Sequence, residues 1–207
     1  MIPVNALIGL LVLVTTTGTA LSSAAQSAPQ NGAQATIAQP QADELRARLA
    51  SCVIQAQLGD PAFCLALSAE LSPAESAGQG TTSNPIGRSS PRTQQVAAIA
   101  TSAAAVALAR SGQLDRAETL MQNSLAQAPQ QPEVLLNAAS LAIFQGRFAS
   151  SLALLEQLQG FQYPELYFNR AIALRALGRY EDAAASLAAY RQALGLAPQI
   201  PARDARP

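Results

Sequence analysis

Three stretches align without a gap: AVALARSGQLDRA (105–117), ASLAIFQGRFASS (139–151) and AIALRALGRYEDA (171–183). Each opens on alanine, reaches a glycine seven residues later (Gly112, Gly146, Gly178) and closes on a small residue five further on (Ala117, Ser151, Ala183). Glycine takes the left-handed backbone that ends a helix, and small side chains on either side of the bend let two antiparallel helices approach closely. The glycines recur 34 and then 32 residues apart. A helix, a glycine turn and a second helix at that period form the pattern of stacked helical hairpins.

A fourth stretch, CVIQAQLGDPAFC (52–64), has the same offsets with cysteine at both small positions. The closest approach of two antiparallel helices falls within the Cα separation a disulfide requires, so the spacing predicts a Cys52–Cys64 bridge.

Composition supports helix packed on helix. Hydrophobic residues make up 49% of the 207, much of it alanine, and there is no tryptophan, so an all-α protein is expected. Thirteen acidic residues balance thirteen basic ones, all of them arginine. A neutral chain with scattered arginines lacks the basic patch that holds nucleic acid or an anionic lipid surface. Without histidine or lysine it also lacks the usual general base, the commonest metal ligand and the amine of Schiff-base chemistry. No catalytic residue, metal site or cofactor is expected.

Residues 1–42 carry no charge. Within 1–25 the apolar run Ala6 to Val14 precedes small residues, as in a secretory signal peptide cleaved near Ala25, although the segment lacks a basic start. Two readings stay open: cleavage after export, or retention of Ile2 to Leu21 as a membrane anchor. Residues 26–41 read as a disordered linker of Gln, Ala, Pro and Asn. Residues 42–72 read as the disulfide-linked hairpin, a divergent repeat whose helical signal starts at Asp43, breaks at Gly59 and resumes behind the cap Asp60-Pro61. Residues 73–93, rich in Ser, Gly and Pro, read as a flexible linker, 94–198 as three repeats, and 199–207 as a tail. The interval of 32 is assigned to a second helix shortened by two residues, running from Phe148 to Leu158.

In the third unit Tyr167, Ala171, Leu174, Gly178, Tyr180 and Ala183 supply a large aromatic, a small residue, a large one, the turn glycine, an aromatic and an alanine. In this the chain resembles the tetratricopeptide repeat (TPR) family, closely over 94–198 and loosely over 43–72. The resemblance implies a short right-handed solenoid whose first helices line a concave surface that binds a protein or peptide partner. On that surface it places Ile99, Ser102, Val106, Leu136, Ser140, Ile143, Phe168, Asn169 and Ile172, rimmed by Arg110 and Arg175. Family members that clamp acidic C-termini use lysine among other residues, and this chain has none. The same helical spacing also suits core packing for Leu136, Ile143 and Phe168. The expectation is an exported, periplasmic scaffold without catalysis. Its alternative is a structural or assembly subunit of a larger envelope complex, anchored in the inner membrane. Self-association is left open.

Overall fold

The computed structural model describes residues 39–72 and 91–196. The signal or anchor segment 1–25, nearly all of the two linkers and the tail 199–207 lie outside the described residues. The described chain is all-α: α1 (Gln39–Gln57), α2 (Ala62–Leu71), α3 (Pro91–Arg110), α4 (Leu114–Gln127), α5 (Pro132–Phe144), α6 (Phe148–Glu156), α7 (Pro164–Ala176) and α8 (Tyr180–Ala193). In order they form four helix–turn–helix units, and α1 packs on α2, α3 on α4 and α7 on α8.

Each hairpin bends where the sequence places its glycine. Gly59, Gly112, Gly146 and Gly178 have φ of 91°, 81°, 73° and 78°, in the left-handed region. Each closes the preceding helix with the same two bonds. At Gly112 its own N–H reaches the Ala109 carbonyl at 3.0 Å and the Gln113 N–H reaches that of Leu108 at 2.9 Å. This double bond pattern satisfies carbonyls that the end of a helix would otherwise leave unpaired. A Cβ on any of these glycines would meet nothing within 4 Å. The requirement for glycine is therefore one of backbone conformation, not of space.

Three helix boundaries differ from the sequence expectation. Helix α1 starts at Gln39 and α3 at Pro91, each a few residues inside a stretch read as linker. Pro40 and Pro91 fall in the first turn, where a missing N–H costs nothing and the fixed φ suits the helix. Helix α6 ends at Glu156 rather than Leu158 and has 9 residues against 14 in α4 and α8. Beyond it the N–H groups of Gln157, Leu158 and Gln159 each bond the carbonyl three residues back, a tighter winding that runs into Gly160 at φ 96°. Leu158 stays buried in this turn although it has left the helix.

The chain forms two compact units that divide between Val134 and Leu135. In the first, α3 packs against α1, α2 and α4. This explains why 13 of its 20 residues are buried, in a continuous run from Ala100 to Ala109. One cluster joins Leu45, Cys52, Leu67 and Leu71 of the first hairpin to Ala97, Ala100 and Ala104 of α3. The cysteine hairpin therefore stacks on the hairpin that follows it. Arg48 forms two bonds to the Glu70 carboxylate across α1 and α2, which favours the charged guanidinium and raises its pKa.

Cys52 and Cys64 are joined as a disulfide with Cα atoms 4.8 Å apart, and both side chains are fully buried. In the next hairpin Ala105 and Ala117 occupy the same positions, also without exposure.

In the second unit α7 packs on α6 and α8, burying Leu155, Leu166, Ala173, Leu174 and Tyr190. The small pair Ala171 and Ala183 is buried there as well. Ser151 stands where the other small pairs close on alanine or cysteine. Its hydroxyl is buried without a hydrogen-bond partner among the described residues.

Candidate partner-binding site

The first helices of the last three hairpins, α3, α5 and α7, carry every residue expected on the binding surface. The structure sorts them by accessibility. Ser102 and Val106 on α3, and Leu136 and Ile143 on α5, are buried. Ile99, Arg110, Ser140, Phe168, Asn169 and Ile172 are half-buried, and Arg175 is exposed.

On α3, Ile99 packs against the cluster of Ala98, Ala128 and Val134. The Ser102 hydroxyl bonds the Ile99 carbonyl at 2.8 Å. Arg110 ends the helix with its Nη1 buried and without a hydrogen-bond partner among the described residues.

The second unit brings its accessible candidates together. Asn169 Nδ2 on α7 donates to Ser140 Oγ on α5 at 2.8 Å, and that hydroxyl donates to the Leu136 carbonyl at 3.0 Å. Neutral polar groups therefore tie two first helices together beside half-buried Ile172. One helical turn from Ile172 in either direction stand Phe168 and Arg175. Phe168 turns toward the second helix of its own hairpin, where its ring lies 5.2 Å from that of Tyr190 at 43°. Such a tilted contact is one that aromatic rings prefer. Phe168 is thereby a packing residue with one accessible edge.

Two features of this region were not legible as site features. Phe161 and Tyr163, in the loop before α7, stack with centroids 5.6 Å apart, and Phe161 remains exposed. Glu165, in the first turn of α7, is buried, and loss of solvation raises its carboxyl pKa, offset in part by a bond from its own backbone N–H.

That shift has a direct consequence for stability. With its folded pKa above the unfolded value, the folded state binds more protons in the window between the two. Stability is therefore expected to fall as pH rises from the ordinary carboxylate range through the raised value. Glu165→Gln should flatten this slope and raise the urea midpoint at neutral pH but not at acid pH. Denaturation midpoints across pH check it, and a parallel pair of curves would refute it.

Two family models match the chain, both described as tetratricopeptide repeat, over residues 108–162 and 164–189. The first spans Gly112 and Gly146 and the second Gly178, the glycines at which three of the four hairpins turn. The protein is TPR-like. No curated protein and no solved structure matches the chain. TPR repeats typically serve as scaffolds for protein–protein interaction rather than as catalysts, which accords with a region of apolar and neutral polar side chains on α5 and α7. Among the described residues no group of acidic, histidine or cysteine side chains is placed to hold a metal ion, and no helix is long and apolar enough to cross a membrane.

Proposed function

We propose that this TPR-like chain is an exported scaffold that holds a protein or peptide partner and performs no chemistry of its own. The observation that carries the reading is the accessible set on the second unit. Ser140 and Asn169 are joined by a 2.8 Å bond next to Ile172, with Arg175 at the rim. An extended peptide needs such a surface: an apolar contact for its side chains and neutral amide and hydroxyl groups for its backbone. On the first unit, taken by itself, Ile99 and Arg110 of α3 are the half-buried candidates. Leu136, Ile143, Ser102 and Val106 are buried and drop out of the accessible set. The absence of histidine and lysine supports a non-catalytic role.

Export rests on the apolar run Ala6 to Val14 and on a fully buried disulfide, a bond that persists in oxidising compartments such as the periplasm. The same run supports the second reading, a subunit of an envelope complex that keeps residues 1–25 as its anchor. The mass of the mature chain separates them, since cleavage removes about 25 residues.

The test of the binding surface is crosslinking in the cells that make the protein, followed by mass spectrometry. Ile172→Glu and Asn169→Ala change half-buried positions on α7, and circular dichroism checks that each variant keeps its helices. The partner recovered with the wild type is expected to be lost with Ile172→Glu and reduced with Asn169→Ala. Undiminished recovery with both variants, at unchanged helicity, would exclude this surface.

A further inference from the structure

Within each unit, the second helix of a hairpin is covered by the helix that follows it: α2 packs against α3, and α6 against α7. Counting from the turn glycine shows where the cover sits. The ninth residue after it is Ser68 in α2, whose Oγ lies 2.5 Å from Thr101 Oγ1 of α3. In α6 it is Leu155, which is buried. In α8 it is Leu187, which is 44% exposed.

Leu187 does not stand alone. Tyr180, Ala184, Leu187, Arg191 and Leu194 follow one another at spacings of 4, 3, 4 and 3. Tyr180 is 69% exposed, Leu194 is 45% exposed, and Ala184 is exposed between them. This is the heptad spacing that keeps one seam of a helix against one partner helix. The stripe through Ala183, Ser186 and Tyr190 is buried. Helix α8 thus has one face filled and an adjoining face open at Tyr180, Ala184, Leu187 and Leu194, with Arg191 half-buried among them.

The open seam complements itself. If two copies of α8 lie antiparallel about a two-fold axis with Ala184 of one against Leu187 of the other, symmetry sets Leu187 against Ala184 at the second contact. In the same register Tyr180 meets Arg191 at both ends, and Leu194 reaches the turn that carries exposed Leu177. Small stands opposite large, and a guanidinium stands over an aromatic ring. The acidic first turn, Glu181 and Asp182, comes alongside the basic last turn of the other copy.

We infer that the face of α8 built on Tyr180, Ala184, Leu187 and Arg191 is a two-fold interface between two copies of this chain. The other occupant to weigh is the stretch 197–207. It includes Pro198, Pro201 and Pro207, and proline does not fit the interior of a covering helix, so a second α8 is the better occupant.

The inference does not depend on the partner-binding reading, and its test measures assembly alone. Sedimentation of the full chain as recovered from cells should show a concentration-dependent monomer–dimer equilibrium. Leu187→Glu, at an exposed site, should weaken it at least about tenfold with unchanged circular dichroism. Mixing chains that carry Ala184→Cys with chains that carry Leu187→Cys should give a crosslinked pair on mild oxidation. Replacing the first by Ala185→Cys, which lies off the seam, should abolish that product. A monomer at all concentrations, a dimer indifferent to Leu187→Glu, or equal crosslinking from position 185 would overturn the inference. So would dimerisation seen only after removal of residues 197–207, which would assign the face to those residues.

Discussion

Replacing Cys52 and Cys64 together by alanine is expected to lower the stability of the first unit by about 3 kcal/mol, the chain-entropy value for so short a loop. The bond joins residues 12 apart whose side chains have no exposure, within the cluster that also holds Leu45, Leu67, Leu71 and the alanines of α3. Loss of two sulfur atoms from a closed core adds a cavity cost to the lost constraint. Because α1 and α2 both pack on α3, the loosening should reach Ala97, Ala100 and Ala104, whose amide protons should exchange faster. Reductant should act slowly on the native protein, since no sulfur surface is accessible, and quickly once urea opens the hairpin. Urea midpoints of the oxidised, reduced and double-alanine forms measure this. An alanine variant as stable as the oxidised wild type would show that the bond contributes nothing.

The turn positions were legible in the sequence because a left-handed residue leaves a chemical mark: only glycine takes φ near 80° without strain. The pairing of the first hairpin was legible for a similar reason, since cysteine at both small positions left one geometry that satisfied both. The starts of α1 and α3 were not. Proline reads as linker in a sequence, yet Pro40 and Pro91 sit in first turns where the helix tolerates them. The true end of α6 was hidden because Leu158 keeps its apolar, buried position after the winding has tightened.

The binding surface was the least legible part. In α3 nearly every residue from Ala97 to Ala109 is buried, so the helical period loses its contrast between a core face and an open one. Val106 and Leu136 met the spacing of a groove residue but lie in the interior. Asn169 and Ser140 met it and remain accessible, joined to each other. What separates the two sets is which neighbours flank each helix, and spacing within one helix does not carry that information.

The small pair flanking each bend leads to the second large effect. Ala105→Leu is expected to destabilise the first unit by about 3 kcal/mol, at the upper end for overpacking a closed core. Ala105 and Ala117 have no exposure, and α3 is packed on by α1, α2 and α4. The three added carbons have no space to enter and no free side of the helix toward which to relax. They must push α4 from α3 or force the side chain's rotamer off a staggered well. The same substitution at exposed Ala126, near the end of α4, should change stability by less than about 0.5 kcal/mol. Equal midpoints for the two variants would mean that close approach at the small pair is not what holds the hairpin. A large gap would confine the requirement for smallness to these positions. Cysteine can replace alanine there at the first hairpin because a disulfide spans the short distance that two larger side chains would force apart.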